Sequence, residues 1–234
     1  TEDDIQLPNS GFEDWYTDSD GLPKPAKDAS SSFWDCGNVN YFGKHIMTTQ
    51  DDETALGQGS SVKMETQETM KIIAAGNIFT GTFERDGMGG ILTLGRNFEC
   101  RPNKLKGYYK YTSAKVSVSK GHLNEGEDDL CSLYIALTDE QITVNTNKGI
   151  YFDPNSSAVI AYGSISDEES KGADSFKEFT VDLEYKDLKR IPKYIIVVAS
   201  SSKYGDYMEG GKGSTMWLDD LELVYPKSME EVRK

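Results

Sequence analysis

The stretch KEFTVDLEY (residues 177–185) decides the fold class, because apolar and polar residues alternate along it one by one. Phe179, Val181, Leu183 and Tyr185 share one side of an extended chain, and the residues between them are acidic or threonine. A period of two is typical of an antiparallel strand with one buried face, whereas a helix would show a period near 3.6. The stretch therefore predicts a half-buried strand.

The same alternation recurs along the rest of the chain. It is present in SSVKMET (60–66), KLKGYYKYTS (104–113), the segment around Leu133, SSAVIAYGS (156–164) and STMWLDDLELVY (214–225). PKYIIVVAS (192–200) is a continuous apolar run, which indicates a central strand buried on both faces. Glycine-rich and aspartate-rich turns separate these segments. Eight or more strands joined by turns predict an all-β, two-sheet antiparallel β-sandwich that is jelly-roll-like, with little helix.

The chain reads as a single domain. No internal repeat, low-complexity tract or interior linker divides its 234 residues, and this length suits one β-sandwich. We therefore assign residues 1–226 to one β-sandwich domain. Residues 227–234 are interpreted as a charged C-terminal tail.

The charge balance limits the class of partner. Lysine and arginine total 25 against 39 acidic residues, a net charge of −14, so nucleic acid and anionic membranes are not expected partners. No apolar stretch is long enough for a transmembrane segment, and the first residues lack the pattern of a signal peptide. We expect any export signal to have been removed before this sequence begins.

Three cysteines, Cys36, Cys100 and Cys131, cannot all pair within one chain and show no CxxC spacing for zinc. Whether Cys36 and Cys100 form a disulfide bridge is left open by the sequence. Cys131 alternates with Leu133 and Ile135, so we interpret it as a buried small apolar residue.

No catalytic residue emerges from the sequence. There is no GxSxG motif, and the two histidines, His45 and His122, lie in polar stretches, which argues against a serine–histidine–aspartate triad. The stretch GDYMEGGKGST (205–215) departs from a phosphate-binding loop and is interpreted as a glycine-rich hairpin loop. Acidic residues are so abundant that a carboxylate pair at glycosidase spacing would be weak evidence of hydrolysis.

The two ends of the chain contain a candidate metal site. The stretch LPNSGFEDW (7–15) stands near the start and MWLDDLELVY (216–225) near the end. Strand parity places Asp219 on the same face as Trp217 and Leu221, where a carboxylate needs a partner. If the first and last strands are neighbours, Asn9, Glu13 and Asp219 offer oxygen ligands for a structural Ca²⁺. The alternative is that these residues pair with lysines or backbone amides and bind no metal.

A candidate ligand site lies in the loop SSSKYGDYMEGGKGS (200–214), because it is long, polar, glycine-rich and also carries aromatic residues. FWDCGNVNYFG (33–43) is the next such stretch. The candidate carbohydrate-binding residues are Lys203, Tyr204, Asp206, Tyr207, Trp34 and Tyr41. The alternative for Tyr204 and Tyr207 is that they pack down and hold the hairpin.

The chain also resembles a known family. The similar segments are LPNSGFEDW (7–15), WDCGN (34–38), AAGNIFTGTF (74–83), CRPNKLKGYYKYTS (100–113), YIALTD (134–139), VIAYGS (159–164), KEFTVDLEY and the long block YIIVVASSSKYGDYMEGGKGSTMWLDDLELVY (194–225). They are similar to the putative carbohydrate metabolism domain family. The pairing of the N-terminal turn with the C-terminal strand also resembles jelly-roll carbohydrate-binding modules that hold calcium.

The resemblance implies a β-sandwich with a link to carbohydrate and no established reaction. It further implies a secreted or outer-membrane lipoprotein of a glycan-foraging Gram-negative gut bacterium. The leading hypothesis is therefore a non-catalytic, cell-envelope carbohydrate-binding module for oligo- or polysaccharide, at the extracellular or outer-membrane surface. One alternative is a glycoside hydrolase or lyase of jelly-roll type. A second is a structural or adhesive domain that binds another envelope protein.

Overall fold

The computed structural model describes residues 5–227. Most of the predicted tail, 228–234, lies outside the described residues. In chain order the strands are β1 (Tyr16–Thr17), β2 (Pro23–Lys24), β3 (Trp34–Asp35), β4 (Val39–Asn40), β5 (Lys44–His45), β6 (Thr48–Asp51), β7 (Ser61–Glu65), β8 (Gln67–Thr69), β9 (Ile72–Ala74), β10 (Asn77–Asp86), β11 (Gly89–Leu94), β12 (Arg96–Asn97), β13 (Lys104–Thr112), β14 (Ser132–Thr138), β15 (Ile142–Asn145), β16 (Val159–Ser164), β17 (Ala173–Asp182), β18 (Glu184–Tyr185), β19 (Tyr194–Ser200) and β20 (Thr215–Val224). In this part of the chain, 3-10 turns span Ala29–Ser31, Glu169–Lys171 and Gly205–Tyr207.

Two antiparallel sheets build the body of the protein. The larger sheet has nine strands, with the order β15-β11-β10-β19-β14-β16-β18, while β12 also pairs with β19 and β3 with β10. The smaller has five strands in the order β17-β13-β20-β7-β6. Three further pairs, β1-β2, β4-β5 and β8-β9, are two-stranded ribbons. The predicted all-β sandwich is confirmed. Within residues 5–227, no helix is long and apolar enough to cross a membrane.

The main hydrophobic core lies between the two sheets. Tyr109 and Leu218 from the five-stranded sheet share one buried cluster with Leu133 and Val197 from the nine-stranded sheet. Strand β19 is buried on both faces, because Val197 belongs to this core and Ile196 to a second cluster. The expectation that PKYIIVVAS forms a central strand is therefore confirmed.

The second cluster covers the outer face of the nine-stranded sheet. Phe79, Leu92, Leu94 and Ile196 are buried there, and Tyr134 packs against them half-buried. An outer sheet face is normally polar where it meets water. This apolar face therefore marks the part of the surface where a ligand site is to be sought.

The two ends of the described chain lie side by side. The side chain of Gln6 donates to the Leu223 carbonyl at 2.8 Å and accepts from the Leu223 amide at 2.7 Å. The Leu221 amide donates to the Ser10 carbonyl at 2.9 Å. The expectation that the N-terminal motif lies beside the C-terminal strand is confirmed.

A β-bulge in β20 overturns the parity expected for that strand. The register with β13 shifts between Lys106 and Tyr108, and Asp220 has a positive φ of 48°. Because one extra residue inverts which side chains face inward, Leu218 and Leu221 both reach the core. Trp217 lies instead on the outer face, so placing it in the core with Leu221 was wrong.

Two of the three cysteines are buried free thiols. Cys36 is not bridged to Cys100, and Cys131 belongs to the main core, as its position in the sequence indicates. Burial raises the pKa of each of the two buried thiols to about 12. Neither is therefore a reactive thiolate at neutral pH.

Candidate functional site

A groove of about 590 Å³ opens on the outer face of the nine-stranded sheet. Its floor is formed by side chains from the central strands, among them Leu92 of β11, Tyr134 of β14 and Val198 of β19. Strand alternation explains this arrangement, since Val198 points away from the main core that Val197 and Ala199 enter. A groove of this volume is within the usual range for small-molecule sites.

Three hairpins form much of the groove's wall. The ribbon β4-β5 contributes Tyr41 and Phe42, the ribbon β8-β9 contributes Met70, and the hairpin β10-β11 contributes Met88. Phe42 is 94% exposed, Met70 90% and Met88 61%. Large apolar side chains at turns, which usually carry polar residues, indicate an interaction surface.

Arg85 supplies a positive charge to the wall. Its guanidinium lies 4.2 Å from the centre of the Tyr41 ring, and its Nη1 donates to the Gly87 carbonyl at 3.0 Å. No carboxylate among residues 5–227 forms an ion pair with it. The aromatic contact orients the guanidinium while leaving further N–H groups for a ligand.

The loop of residues 203–208 completes the wall, with Lys203, Gly205, Asp206 and Met208 lining the groove. Burial raises the pKa of Asp206 to about 6. Burial also raises the pKa of the Tyr134 hydroxyl well above its ordinary value, and the charge of Asp206 adds to that effect. Asp206 is the one carboxylate among the described residues that line the groove.

Tyr204 and Tyr207, from the same loop, join an aromatic cluster instead of lining the groove. The Tyr204 ring stacks on His122 with centroids 4.3 Å apart, Tyr207 lies 4.3 Å from His122, and Tyr151 stacks on Tyr207 at 4.0 Å. This arrangement favours the alternative that the two tyrosines hold the loop. Their part in sugar binding stays a prediction.

Glu209 holds the aromatic cluster in place. Its buried carboxylate accepts hydrogen bonds from the Leu123 amide at 2.9 Å and from Nδ1 of His122 at 2.7 Å. Burial alone would raise the pKa of Glu209, but these hydrogen bonds outweigh it and lower the pKa. The loop beside the groove is thus fixed through a buried charge.

The two remaining predicted ligand residues, Tyr41 and Trp34, lie in different places. Tyr41 is at the groove, as described above. Trp34 is only 1% exposed, belongs to the main core, and donates from Nε1 to the Pro8 carbonyl at 2.8 Å. The prediction that Trp34 contacts a ligand is wrong, because packing between the sheets covers its ring.

The side chain of Asn9, a predicted calcium ligand, is hydrogen-bonded to nearby backbone groups. Its Nδ2 donates to the carbonyls of Asp14 at 3.0 Å and Pro25 at 3.1 Å, and its Oδ1 accepts from the Asp14 amide at 3.0 Å. The amide group therefore stabilises the N-terminal turn, where Asn9 has a positive φ of 50°. Oδ1 keeps a second lone pair, so its part in a calcium site stays a prediction.

Glu13 and Asp219 lie close enough to interact, together with Asp220. Asp219 is buried, its Oδ2 accepts from the Ala55 amide at 2.9 Å, and its Oδ1 has no hydrogen-bond partner. Burial, joined by the charges of Asp220 and Glu13, raises the pKa of Asp219 to about 6. Burial and the charge of Glu13 also raise the pKa of Asp220.

Across the described residues 5–227, no group of three or more histidine, cysteine, aspartate or glutamate side chains is arranged to hold a metal ion. Glu13, Asp219 and Asp220 therefore do not form such a group by themselves. Calcium binding by Asn9, Glu13 and Asp219 stays a prediction.

Sequence reasoning missed Arg85, Tyr134 and the exposed apolar residues Phe42, Met70 and Met88 at the hairpin tips. A usable signal was the apolar residue within each turn, namely Phe42 before Gly43, Met70 before Lys71, and Met88 between two glycines. Tyr134 gave no such signal, because an aromatic residue in a strand is ordinary.

A family model described as a putative carbohydrate metabolism domain matches residues 10–224. The chain belongs to this family. As a putative carbohydrate metabolism domain it is a carbohydrate-related β-sandwich, and the match spans both sheets and all the segments that form the groove. No curated protein matches the sequence closely enough to count as a relative.

Two solved structures share this fold. A putative glycoside hydrolase from Bacteroides thetaiotaomicron is 26% identical with a TM-score of 0.62, and the match covers 78% of this chain. The match spans 58% of that protein's length. A putative glycoside hydrolase from Bacteroides vulgatus is 22% identical with a TM-score of 0.62, and 94% of each chain is covered. A family 11 carbohydrate-binding module from Clostridium thermocellum is more distant, at 10% identity and a TM-score of 0.36, with 82% of this chain and 88% of the module covered.

Proposed function

We propose that this domain is a non-catalytic carbohydrate-binding module whose ligand lies in the groove. The observation that carries the proposal is the single carboxylate, Asp206, in the described lining of the groove. Hydrolysis of a glycosidic bond ordinarily uses two carboxyl groups on opposite sides of the bond. A groove with one carboxyl group suits binding better than hydrolysis.

The groove offers the contacts that sugars use. The ring of Tyr41 can stack on the C–H face of a pyranose, and Arg85 and Asp206 can hydrogen-bond to hydroxyl or acidic groups. Family membership independently supports carbohydrate as the ligand class. These contacts surround a floor formed by a sheet whose central strands are buried on both faces, so the floor is rigid.

Isothermal titration against plant, host and microbial polysaccharides tests the proposal. Tyr41→Ala is expected to weaken binding roughly tenfold through lost ring contact, with little change in melting temperature. Phe176→Ala, a half-buried aromatic on the opposite, five-stranded sheet, is the matched control and should bind normally. A panel of neutral and acidic glycans without one binder would reject the proposal.

The second candidate is a glycoside hydrolase or lyase, favoured by the near-neutral pKa of Asp206. A carboxyl group that is partly protonated near pH 6 has the property that a general acid requires. Release of reducing ends or of unsaturated sugars from a bound polysaccharide, lost in Asp206→Asn, would establish it. Binding without product under the same conditions supports the module.

The proposal includes an extracellular or outer-membrane surface location, with attachment as a lipoprotein. Its support is the resemblance of the sequence to surface proteins and the Bacteroides origin of the two similar structures. Protease treatment of intact source cells, followed by detection of this chain, tests the location. Protection in intact cells with digestion after lysis would contradict it.

A further inference from the structure

The groove is lined by hydrocarbon and thioether groups to a degree that a bare sugar does not need. Leu92, Leu94 and Val198 line the floor, and Ile72, Met70 and Met88 line the walls. A sugar hydroxyl placed against such groups loses its bonds to water and gains none, which is unfavourable. The surface instead matches an acyl chain or an aromatic ring.

Many polar groups in the lining are already bonded within the protein. Oδ1 of Asn77 accepts from the Gly37 amide at 2.7 Å, and Oγ of Ser200 donates to the Ser202 carbonyl at 2.8 Å. Oγ1 of Thr146 bonds to Gly90, and a ring nitrogen of His45 bonds to the Tyr41 carbonyl at 3.1 Å. Few groups are therefore left to recognise the several hydroxyls of an unsubstituted sugar.

The charge of the lining differs from that of the whole protein. The chain carries a net charge of −14, yet Arg85 and Lys203 line the groove against the single carboxyl group of Asp206. Arg85 has no ion-pair partner among the described residues. Lys203 has a weak one, because its Nζ lies 3.9 Å from Oδ1 of the fully exposed Asp167. An acidic group of a ligand is the natural partner for the guanidinium.

We propose that the groove binds an anionic amphiphile, with an acyl or aryl group on the apolar floor and a carboxylate or sulfate at Arg85. The inference rests on the proposed function in one respect, since it names the ligand class of the same groove. Two sources share this chemistry, namely a sugar acid that carries an apolar substituent and a free fatty acid.

Isothermal titration with four probes separates the contributions of charge and apolar group. The probes are 4-nitrophenyl β-D-glucuronide, methyl β-D-glucuronide, 4-nitrophenyl β-D-glucoside and dodecanoate, the last below its micelle concentration. The first carries both an acidic and an aryl group, and the second and third each lack one of them. We expect 4-nitrophenyl glucuronide to bind about tenfold or more tightly than either.

Variants locate the two contacts. Arg85→Met keeps an apolar stem over Tyr41 and should weaken both anionic amphiphiles about tenfold, a larger loss than for the uncharged 4-nitrophenyl glucoside. The matched control is Lys177→Met, which removes an exposed cation on the five-stranded sheet. It should not change the affinity for either anionic amphiphile. Met70→Ser and Met88→Ser alter exposed hairpin tips, so they should weaken dodecanoate without lowering the melting temperature.

The outcomes also distinguish this inference from the proposed function. If methyl glucuronide or a neutral oligosaccharide binds as tightly as 4-nitrophenyl glucuronide, the inference is overturned and carbohydrate binding stands. If dodecanoate binds and no sugar-bearing compound does, the inference holds with a fatty acid as the source and carbohydrate binding in this groove fails. Absence of binding by all four probes overturns the inference.

Discussion

At the scale of single residues, the buried carboxylate of Asp219 is the most informative group outside the groove. Its pKa of about 6 lies above the ordinary value of 3.8, so the folded state holds the proton more tightly than the unfolded state does. Ionising Asp219 therefore lowers the free energy of unfolding. This penalty is absent below about pH 4 and fully present above about pH 6. Stability should fall as the pH rises through this window.

We expect Asp219→Asn to stabilise the protein at pH 8 and to have little effect at pH 4. The neutral amide avoids repulsion from Glu13 and Asp220, and its oxygen can still accept from the Ala55 amide. The expected gain is about 1 kcal/mol, or roughly 2–4 °C in melting temperature. Glu222→Gln, an exposed change in the same strand, is the control, and calorimetry in chelator at both pH values is the measurement.

The same variant tests the calcium prediction. Calcium that binds the folded state raises the melting temperature in proportion to the logarithm of its concentration, because it binds the native state alone. We expect this rise in the native protein and its loss in Asp219→Asn. Identical melting curves with calcium and with chelator in the native protein would reject the site.

How much the sequence could reveal at this scale depends on what surrounds each residue. The burial of Cys131 followed from the alternation around it, and the structure confirms it. The face of Trp217 did not follow, since the bulge at Asp220 is set by pairing with β13 and leaves no local signature. Period-two reasoning is reliable only within an unbroken ladder.

At the scale of elements, the ribbon β8-β9 carries a turn whose residues are poorly suited to its backbone. Met70 and Lys71 both have positive φ, at 52° and 64°, a conformation that favours Asn-Gly in two-residue hairpins. Met70 is also 90% exposed, so packing does not explain its choice. The ligand contact proposed at the groove would explain it.

We therefore expect Met70→Asn with Lys71→Gly to raise stability by about 1 kcal/mol while weakening ligand binding. Relief of the strained backbone accounts for the gain, and loss of the thioether from the groove accounts for the weaker binding. Met88 has no positive φ to relieve, so Met88→Asn should weaken ligand binding without raising stability. Thermal melts and titration with dodecanoate give both readouts, and tighter or unchanged binding would count against a role for Met70.

The aromatic cluster beside the groove yields a prediction about the 203–208 loop. Tyr204→Ala and Tyr207→Ala each remove ring contacts with His122, so each should cost about 1–2 kcal/mol of stability, or several degrees of melting temperature. Ligand affinity should fall less than it does in Tyr41→Ala. A loss of affinity at unchanged melting temperature would instead return the two tyrosines to the ligand site.

At the scale of the whole molecule, the strand pattern predicted the sandwich but not where its groove would form. The walls come from hairpins around residues 42, 70 and 88 and from the loop at 203–208, segments far apart in sequence. Their convergence depends on the order of strands in the nine-stranded sheet, which one sequence does not encode locally. The proximity of the two chain ends was predictable, because the motifs at 7–15 and 216–225 can both be recognised in the sequence.

The thiols of Cys36 and Cys131 report on the integrity of the whole fold. Because burial raises the pKa of each to about 12, we expect neither to react with iodoacetamide at pH 8 in the native protein. Both should be labelled once urea unfolds the chain. Mass spectrometry of the two peptides measures this, and labelling of Cys36 under native conditions would show that its surroundings open locally.

Within residues 5–227, β4 pairs with β5 and β8 with β9, and neither ribbon pairs with a strand of the two main sheets. Their tips can therefore be exchanged by mutation or by grafting without breaking a hydrogen bond of either large sheet. Changes at these tips would therefore alter the wall of the groove while the sandwich stays the same. For protein engineering, residues 41–43 and 69–71 are the positions at which a library would retarget the groove.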